Sequence, residues 1–180
     1  MSKGIITASA GNHAQGVALA ASKLSINAII VMPCTTPSIK VDSVRKYGVN
    51  IVLHGDTYDD ALKKAYEIEK EQSLTFIHPY DDPLVIAGQG TIAKEILDQL
   101  KTPIDIIFVA VGGGGLISGI SLYFKKFSPN TKIIAVEPDN SNCLSEALQA
   151  KKPVKLDKVG IFADGVAVKQ IGNEPFRICN

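Results

Sequence analysis

The sequence has 180 residues, 46% of them hydrophobic and 21% charged, with a formal net charge of +1. Those proportions fit one large or two small soluble globular domains and argue against disorder. A near-neutral chain without a block of like charges gives no reason to expect a nucleic acid or a membrane surface as partner, and leaves small neutral or zwitterionic ligands open.

No charged and then apolar leader follows Met1-Ser2-Lys3-Gly4, and no apolar run is long enough to span a bilayer. Three cysteines, Cys34, Cys143 and Cys179, are odd in number and widely separated, as free thiols in a reducing compartment would be. The expected location is the cytoplasm.

Short apolar runs alternate with helical periodicity along the chain. This predicts an α/β fold, with parallel sheets and helices on both faces. A strand over residues 5–8 leads into Ser9-Ala10-Gly11-Asn12-His13-Ala14-Gln15-Gly16, and a helix is expected over 12–24. Ser9 offers a hydroxyl, Gly11 permits a tight turn, and Asn12 can cap the helix or donate its amide. The first-turn N–H groups stay unpaired unless a ligand takes them, so a carboxylate fits there. The bland alternative is a capped helix with His13 packed in its first turn.

Strands at 28–32 and 50–53 and a helix over 38–47 follow. In the next helix, 58–71, Ala61, Leu62, Ala65 and Ile68 recur at helical spacing, while Lys63, Lys64, Glu67 and Lys70 take the other face. Asp56 or Thr57 can cap it. After a strand at 75–77, the turn His78-Pro79-Tyr80-Asp81-Asp82-Pro83 suggests a boundary between a lobe of residues 1–83 and a second of residues 84–180.

The second half opens with a helix over 85–100 and a strand over 104–111. Gly112, Gly113, Gly114 and Gly115 come next, then a helix over 116–127 beginning at Leu116. Consecutive glycines between a strand and a helix form a phosphate cradle, since bare backbone approaches the ligand and the helix presents free N–H groups and its positive dipole end. Apolar flanks argue against a flexible linker. A strand at 132–136 and a helix at 143–150 follow, and beyond Lys151 no element is expected with any definition.

Ser9 to Gly16, Ala87-Gly88-Gln89-Gly90-Thr91 and Val111 to Leu116 together resemble the threonine dehydratase (threonine ammonia-lyase) family. The resemblance continues through Val31-Met32-Pro33, Ile39-Lys40-Val41-Asp42-Ser43-Val44-Arg45, Ala135-Val136-Glu137 and Gly165-Val166-Ala167-Val168-Lys169, so it covers essentially the whole chain. It implies the two-lobed, tryptophan synthase beta-like fold (fold type II), incomplete at both ends here. It also implies pyridoxal 5'-phosphate as cofactor and deamination of L-threonine or L-serine by a dimer or tetramer when intact.

By the same resemblance, Asn12 hydrogen-bonds the cofactor's 3′-oxygen, and Ser9, Gly11, Asn12 and His13 close on the substrate carboxylate. Gly112, Gly113, Gly114, Gly115 and Leu116 hold the phosphate, and Gly165 lies beside the ring. Cysteine and threonine synthases tend to carry threonine where His13 stands, which favours the dehydratase and serine racemase branch. Racemases of this type bind a divalent metal through residues matching Glu137 and Cys143, and a thiol there suits a hard cation poorly. The stretch from Gly165 to Gly172, followed by Phe176-Arg177-Ile178-Cys179, resembles the biosynthetic enzymes.

The family's Ser-x-Lys-x-Arg-Gly-Ala motif, which carries the Schiff-base lysine, does not occur in these residues. Ser38-Ile39-Lys40 imitates its start, but Asp42 and a helix start are the wrong setting for a nucleophilic lysine. The expectation is an interior segment of a longer enzyme, inactive alone, with no catalytic residue of its own.

Other readings are weaker. A dinucleotide fingerprint starting at Gly113 would need glycine or alanine where Ser118 stands. His13, His54 and His78 lack metal-ligand spacing, no Gly-x-Ser-x-Gly elbow occurs, and Cys143 reads as a small buried residue.

Overall fold

The structure, a computed structural model, describes residues 3–160 and 162–180. Ile161, in the segment with no expected element, and Met1 and Ser2 lie outside it. Two compact units follow one another, Met1–Pro79 and Tyr80–Asn180.

The first unit contains β1 (Ile5–Ala8), α1 (Asn12–Leu24), β2 (Ala28–Met32), α2 (Ser38–Arg45), β3 (Asn50–Leu53), α3 (Tyr58–Gln72) and β4 (Thr75–Phe76). Its strands form a parallel sheet in the order β3-β2-β1-β4. Every residue of β2 is buried, as expected of a continuous apolar strand covered on both faces. Ile29 and Val31 pack with Ala61, Ala65 and Ile68 of α3, whereas Ile30 and Met32 meet Ala14, Val17 and Ala18 of α1 and Val41 and Val44 of α2. Helices therefore cover both faces, and each Ile, Val or Met side chain so removed from water contributes about 1.5–3 kcal/mol.

Thr57 caps α3 through a reciprocal capping box with Asp60. In α2 the helix stops at Arg45, two residues earlier than periodicity predicts, because Gly48 at φ 73° turns the chain and its N–H donates to the Arg45 carbonyl. The sheet runs from β1 outward to β3 and then returns to the other side of β1 with β4. The gap between the carboxyl ends of β1 and β4 is thus a topological switch point, the usual ligand position in an open parallel sheet.

The second unit contains α4 (Pro83–Gln99), β5 (Ile106–Ala110), α5 (Gly115–Phe127), β6 (Lys132–Val136), α6 (Cys143–Ala150), a 3₁₀ turn (Asp164–Val166) and α7 (Asn173–Cys179). Strands β5 and β6 pair in parallel, and Val109, Val111, Ile117, Ile120, Phe124, Leu144 and Ala147 form the core beside them. Helix α4 starts two residues before the expected position, because Asp82 accepts hydrogen bonds from Leu84 N–H at 2.7 Å and Val85 N–H at 3.1 Å with Pro83 in the first turn. The opposite face of β5 and β6 exposes Ile106, Phe108, Ile134 and Val136.

Candidate cofactor and substrate loops

In the first unit, the loop after β1 sits at the switch point. Ser9 N–H continues the sheet by donating to Val31 O at 3.1 Å, and Ser9 Oγ then accepts from Gly11 N–H at 3.3 Å. The first bond of the α1 ladder runs from Gln15 N–H to Gly11 O at 3.4 Å. The N–H groups of Asn12, His13 and Ala14 therefore precede the ladder, at the positive end of a 13-residue helix. Gly11 is the N-cap and no side chain caps the helix, so of its two expected uses Asn12 does not take the capping one; its side chain is exposed.

His13 turns inward. Its Nε2 lies 3.0 Å from Thr7 Oγ1 and 3.1 Å from Ile77 O, and Thr7 Oγ1 itself donates to Ile77 O at 2.8 Å. Burial pushes the His13 pKa below the usual histidine value, the bond to Ile77 opposes this, and the charge of His78 adds to the lowering. His13 is thus a neutral, anchored side chain at neutral pH.

In the second unit, Val111 N–H donates to Val136 O at 2.9 Å, and the chain then leaves the sheet through the glycines. Gly114, the N-cap of α5, has φ 94°, a left-handed conformation that side chains disfavour. The first ladder bond of α5 runs from Ser118 N–H to Gly114 O at 3.0 Å, so the N–H groups of Gly115, Leu116 and Ile117 precede it. A phosphate dianion fits that set of donors at the dipole end of a 13-residue helix.

The protein itself presses on the other side of this loop. A methyl group on Gly113 would fall 2.2–2.4 Å from the Tyr80 ring. One on Gly114 would fall 2.5 Å from Ile171 Cδ1 and 2.6 Å from Pro175 Cβ, and one on Gly112 would fall 3.2 Å from Val166 Cα. The same methyl group on Gly112 would lie 3.7 Å from the carbonyl oxygen of Gly165, in the 3₁₀ turn. Gly113 O accepts from Gly172 N–H at 3.1 Å, and Gly112 O accepts from the buried Cys143 thiol at 3.3 Å. Burial first, and then Glu137, push the Cys143 thiol up to about 12, so it stays protonated and able to donate.

Sequence reasoning missed these supports. Asp81 accepts from Asn173 N–H at 3.0 Å and from Glu174 N–H at 2.8 Å, closing the start of α7 across 92 residues of sequence, which no local pattern announces. Glu137 accepts from Leu144 N–H at 2.8 Å and Ser145 N–H at 2.9 Å, serving as a cap for α6. Lys40 lies in the first turn of α2, the setting expected for it. Among the described residues no group of His, Cys, Asp or Glu is placed to hold a metal ion, and no helix is long and apolar enough to cross a membrane.

Comparison with protein families matches residues 2–180 to the family described as pyridoxal-phosphate dependent enzyme. The chain belongs to that family. Within it, the chain is 57% identical over 176 residues to the biosynthetic L-threonine dehydratase IlvA of Pasteurella multocida, covering 98% of this chain and 34% of the relative. It is 56% identical over 178 residues to the chloroplastic biosynthetic threonine dehydratase of Arabidopsis thaliana, covering 99% and 30%. The solved processed form of threonine deaminase isoform 2 from Solanum lycopersicum superposes with a TM-score of 0.94 at 53% identity, covering 99% of this chain and 52% of that one. Maize serine racemase superposes at 0.92 with 35% identity, covering 99% and 54%. The chain thus spans about a third of the curated relatives it matches. The parallel α/β architecture expected from the sequence is the one observed.

Proposed function

We propose that these residues belong to a biosynthetic threonine dehydratase, which deaminates L-threonine to 2-oxobutanoate and ammonia as the first step of isoleucine biosynthesis. The observation that carries the reading is the presence of two strand-to-helix junctions, each with three N–H groups ahead of its helical ladder, in a chain 57% identical to a protein of that name. Gly112, Gly113, Gly114, Gly115 and Leu116 hold the cofactor phosphate, and Gly165 borders its ring. Asn12, whose side chain is free of any capping bond, donates to the cofactor's 3′-oxygen. Ser9, Gly11, Asn12 and His13 receive the substrate carboxylate, with residues 1–83 as the substrate lobe and residues 84–180 as part of the phosphate lobe.

When bound, pyridoxal phosphate supplies the electron sink for the bond that breaks at the substrate Cα. The chain's own residues contribute positioning: fixed amides orient the carboxylate so that the reacting bond is presented in one direction. A cytoplasmic homo-oligomer, dimer or tetramer, completes the reading by resemblance.

Serine racemase or serine dehydratase is the rival enzyme. Against a metal-bound racemase, both Glu137 carboxylate oxygens accept from α6 amides and the Cys143 thiol is directed to Gly112 O. A non-catalytic ligand-binding segment is the rival of another class. Expression with the flanking coding sequence and assay on both amino acids separates them: 2-oxobutanoate release from threonine is expected, whereas racemisation of serine without it would overturn the proposal. The 180-residue chain alone is expected to release no 2-oxobutanoate, and borohydride trapping of the cofactor on Lys40 would contradict that.

A further inference from the structure

We infer that His13 is a positioning residue whose Nε2–H tautomer ties the first turn of α1 to Thr7 and the Ile77 carbonyl, holding the amides of Asn12, His13 and Ala14 in place. The inference rests on the proposed function only in naming a carboxylate as the ligand of those amides.

The tautomer follows from which atoms can donate. Ile77 O can only accept, and it lies 3.1 Å from Nε2 and 2.8 Å from Thr7 Oγ1. The Thr7 hydroxyl has one proton and gives it to Ile77 O, so Thr7 Oγ1 is left as an acceptor at 3.0 Å from the same Nε2. A bare Nε2 would set its lone pair against the carbonyl oxygen. The proton therefore sits on Nε2, shared between two acceptors, and Nδ1 is bare in the neutral ring.

The three partners come from three segments. Thr7 lies in β1 and is fully buried, Ile77 follows β4 and donates its own N–H to Ile6 O at 2.8 Å, and His13 is the second residue of α1. The opening turn has no side-chain cap, and besides the packing of Ala14 against Ile30 and Met32 it is fixed by the bond from Gly11 N–H to Ser9 Oγ. The imidazole adds a hold from within, gripping the sheet at the β1–β4 switch point, and leaves the outward-facing amides for a ligand.

The test begins with the unaltered 180-residue chain. Long-range ¹H–¹⁵N spectra of its imidazoles at pH 7.5 are expected to show His13 protonated at Nε2 and bare at Nδ1; a proton on Nδ1 overturns the inference. Amide exchange at Gln15, donor of the first ladder bond, is expected to be roughly tenfold faster in His13→Ala. His13→Gln, whose amide nitrogen extends about as far as Nε2, restores it. Unchanged exchange in His13→Ala, or exchange in His13→Gln as fast as in His13→Ala, overturns it. Acetate then probes the ligand: shifts at the amides of residues 12–14 in the unaltered chain that persist undiminished in His13→Ala also count against the positioning role. Absence of any acetate shift, with the tautomer and exchange as expected, would instead count against the carboxylate reading alone.

Discussion

At the scale of single residues, His13 links proton binding to stability. Its folded pKa is lowered, chiefly by burial, while the unfolded value is the ordinary one of about 6.5. Between those two values the unfolded chain binds more protons than the folded one, so stability falls as pH drops. Above about pH 6.5 the contribution is complete, and it is lost as pH falls from there through the folded pKa. Urea midpoints measured from pH 7.5 downward should decline below that point, and the decline should be shallower in His13→Gln. His78, the titratable neighbour that interacts with His13, is common to both proteins, so the difference between the two curves reports His13 together with its coupling to His78. Superimposable curves would refute the linkage.

At the scale of elements, glycines in α4 and α5 behave in opposite ways. A methyl on Gly119 would fall 2.4 Å from Ile86 O and 2.6 Å from Gly90 N, both backbone atoms that cannot swing aside. Gly119→Ala should therefore destabilise by about 1–3 kcal/mol or more. Gly88, in the exposed interior of α4, has nothing within 4 Å, and Gly88→Ala should stabilise by about 0.5–1 kcal/mol. Urea unfolding of both variants checks the signs, and a loss in each would show that α4 needs Gly88 for a reason other than packing.

These elements also mark what the sequence makes legible. Strands β1, β2, β3 and β6 and helices α1 and α6 fall at the residues that period and capping predict, because their signals are local. Helix α7 is not legible, since its start is held by Asp81 from far upstream and Pro175 interrupts any periodic pattern. The candidate site divides in the same way: both strand-to-helix junctions are visible as strand, glycine and helix in succession. The destinations of the His13 ring, the Tyr80 ring and the Cys143 thiol are tertiary facts with no counterpart in spacing.

At the scale of the whole molecule, the β5–β6 pair carries an uncovered apolar face. Parallel strands are ordinarily covered on both sides, yet Phe108 is 69% exposed and Ile106, Ile134 and Val136 lie open on the same face. Contiguous apolar surface of this kind drives association. The isolated 180-residue chain should self-associate with rising concentration in analytical ultracentrifugation, and Phe108→Ser should weaken that association. A monomer at all concentrations, indifferent to the substitution, would exclude the face as an adhesive surface.

The packing behind the glycine run bears on how an anion would be received. Tyr80, Val166, Ile171 and Pro175 press against successive glycines, and the Cys143 thiol and Gly172 N–H engage their carbonyls. Such a loop surrenders its conformational freedom during folding, so an arriving phosphate has little left to order. Its affinity should then depend weakly on temperature-driven loop motion and strongly on the integrity of the packing behind the loop, even at side chains that never touch the anion.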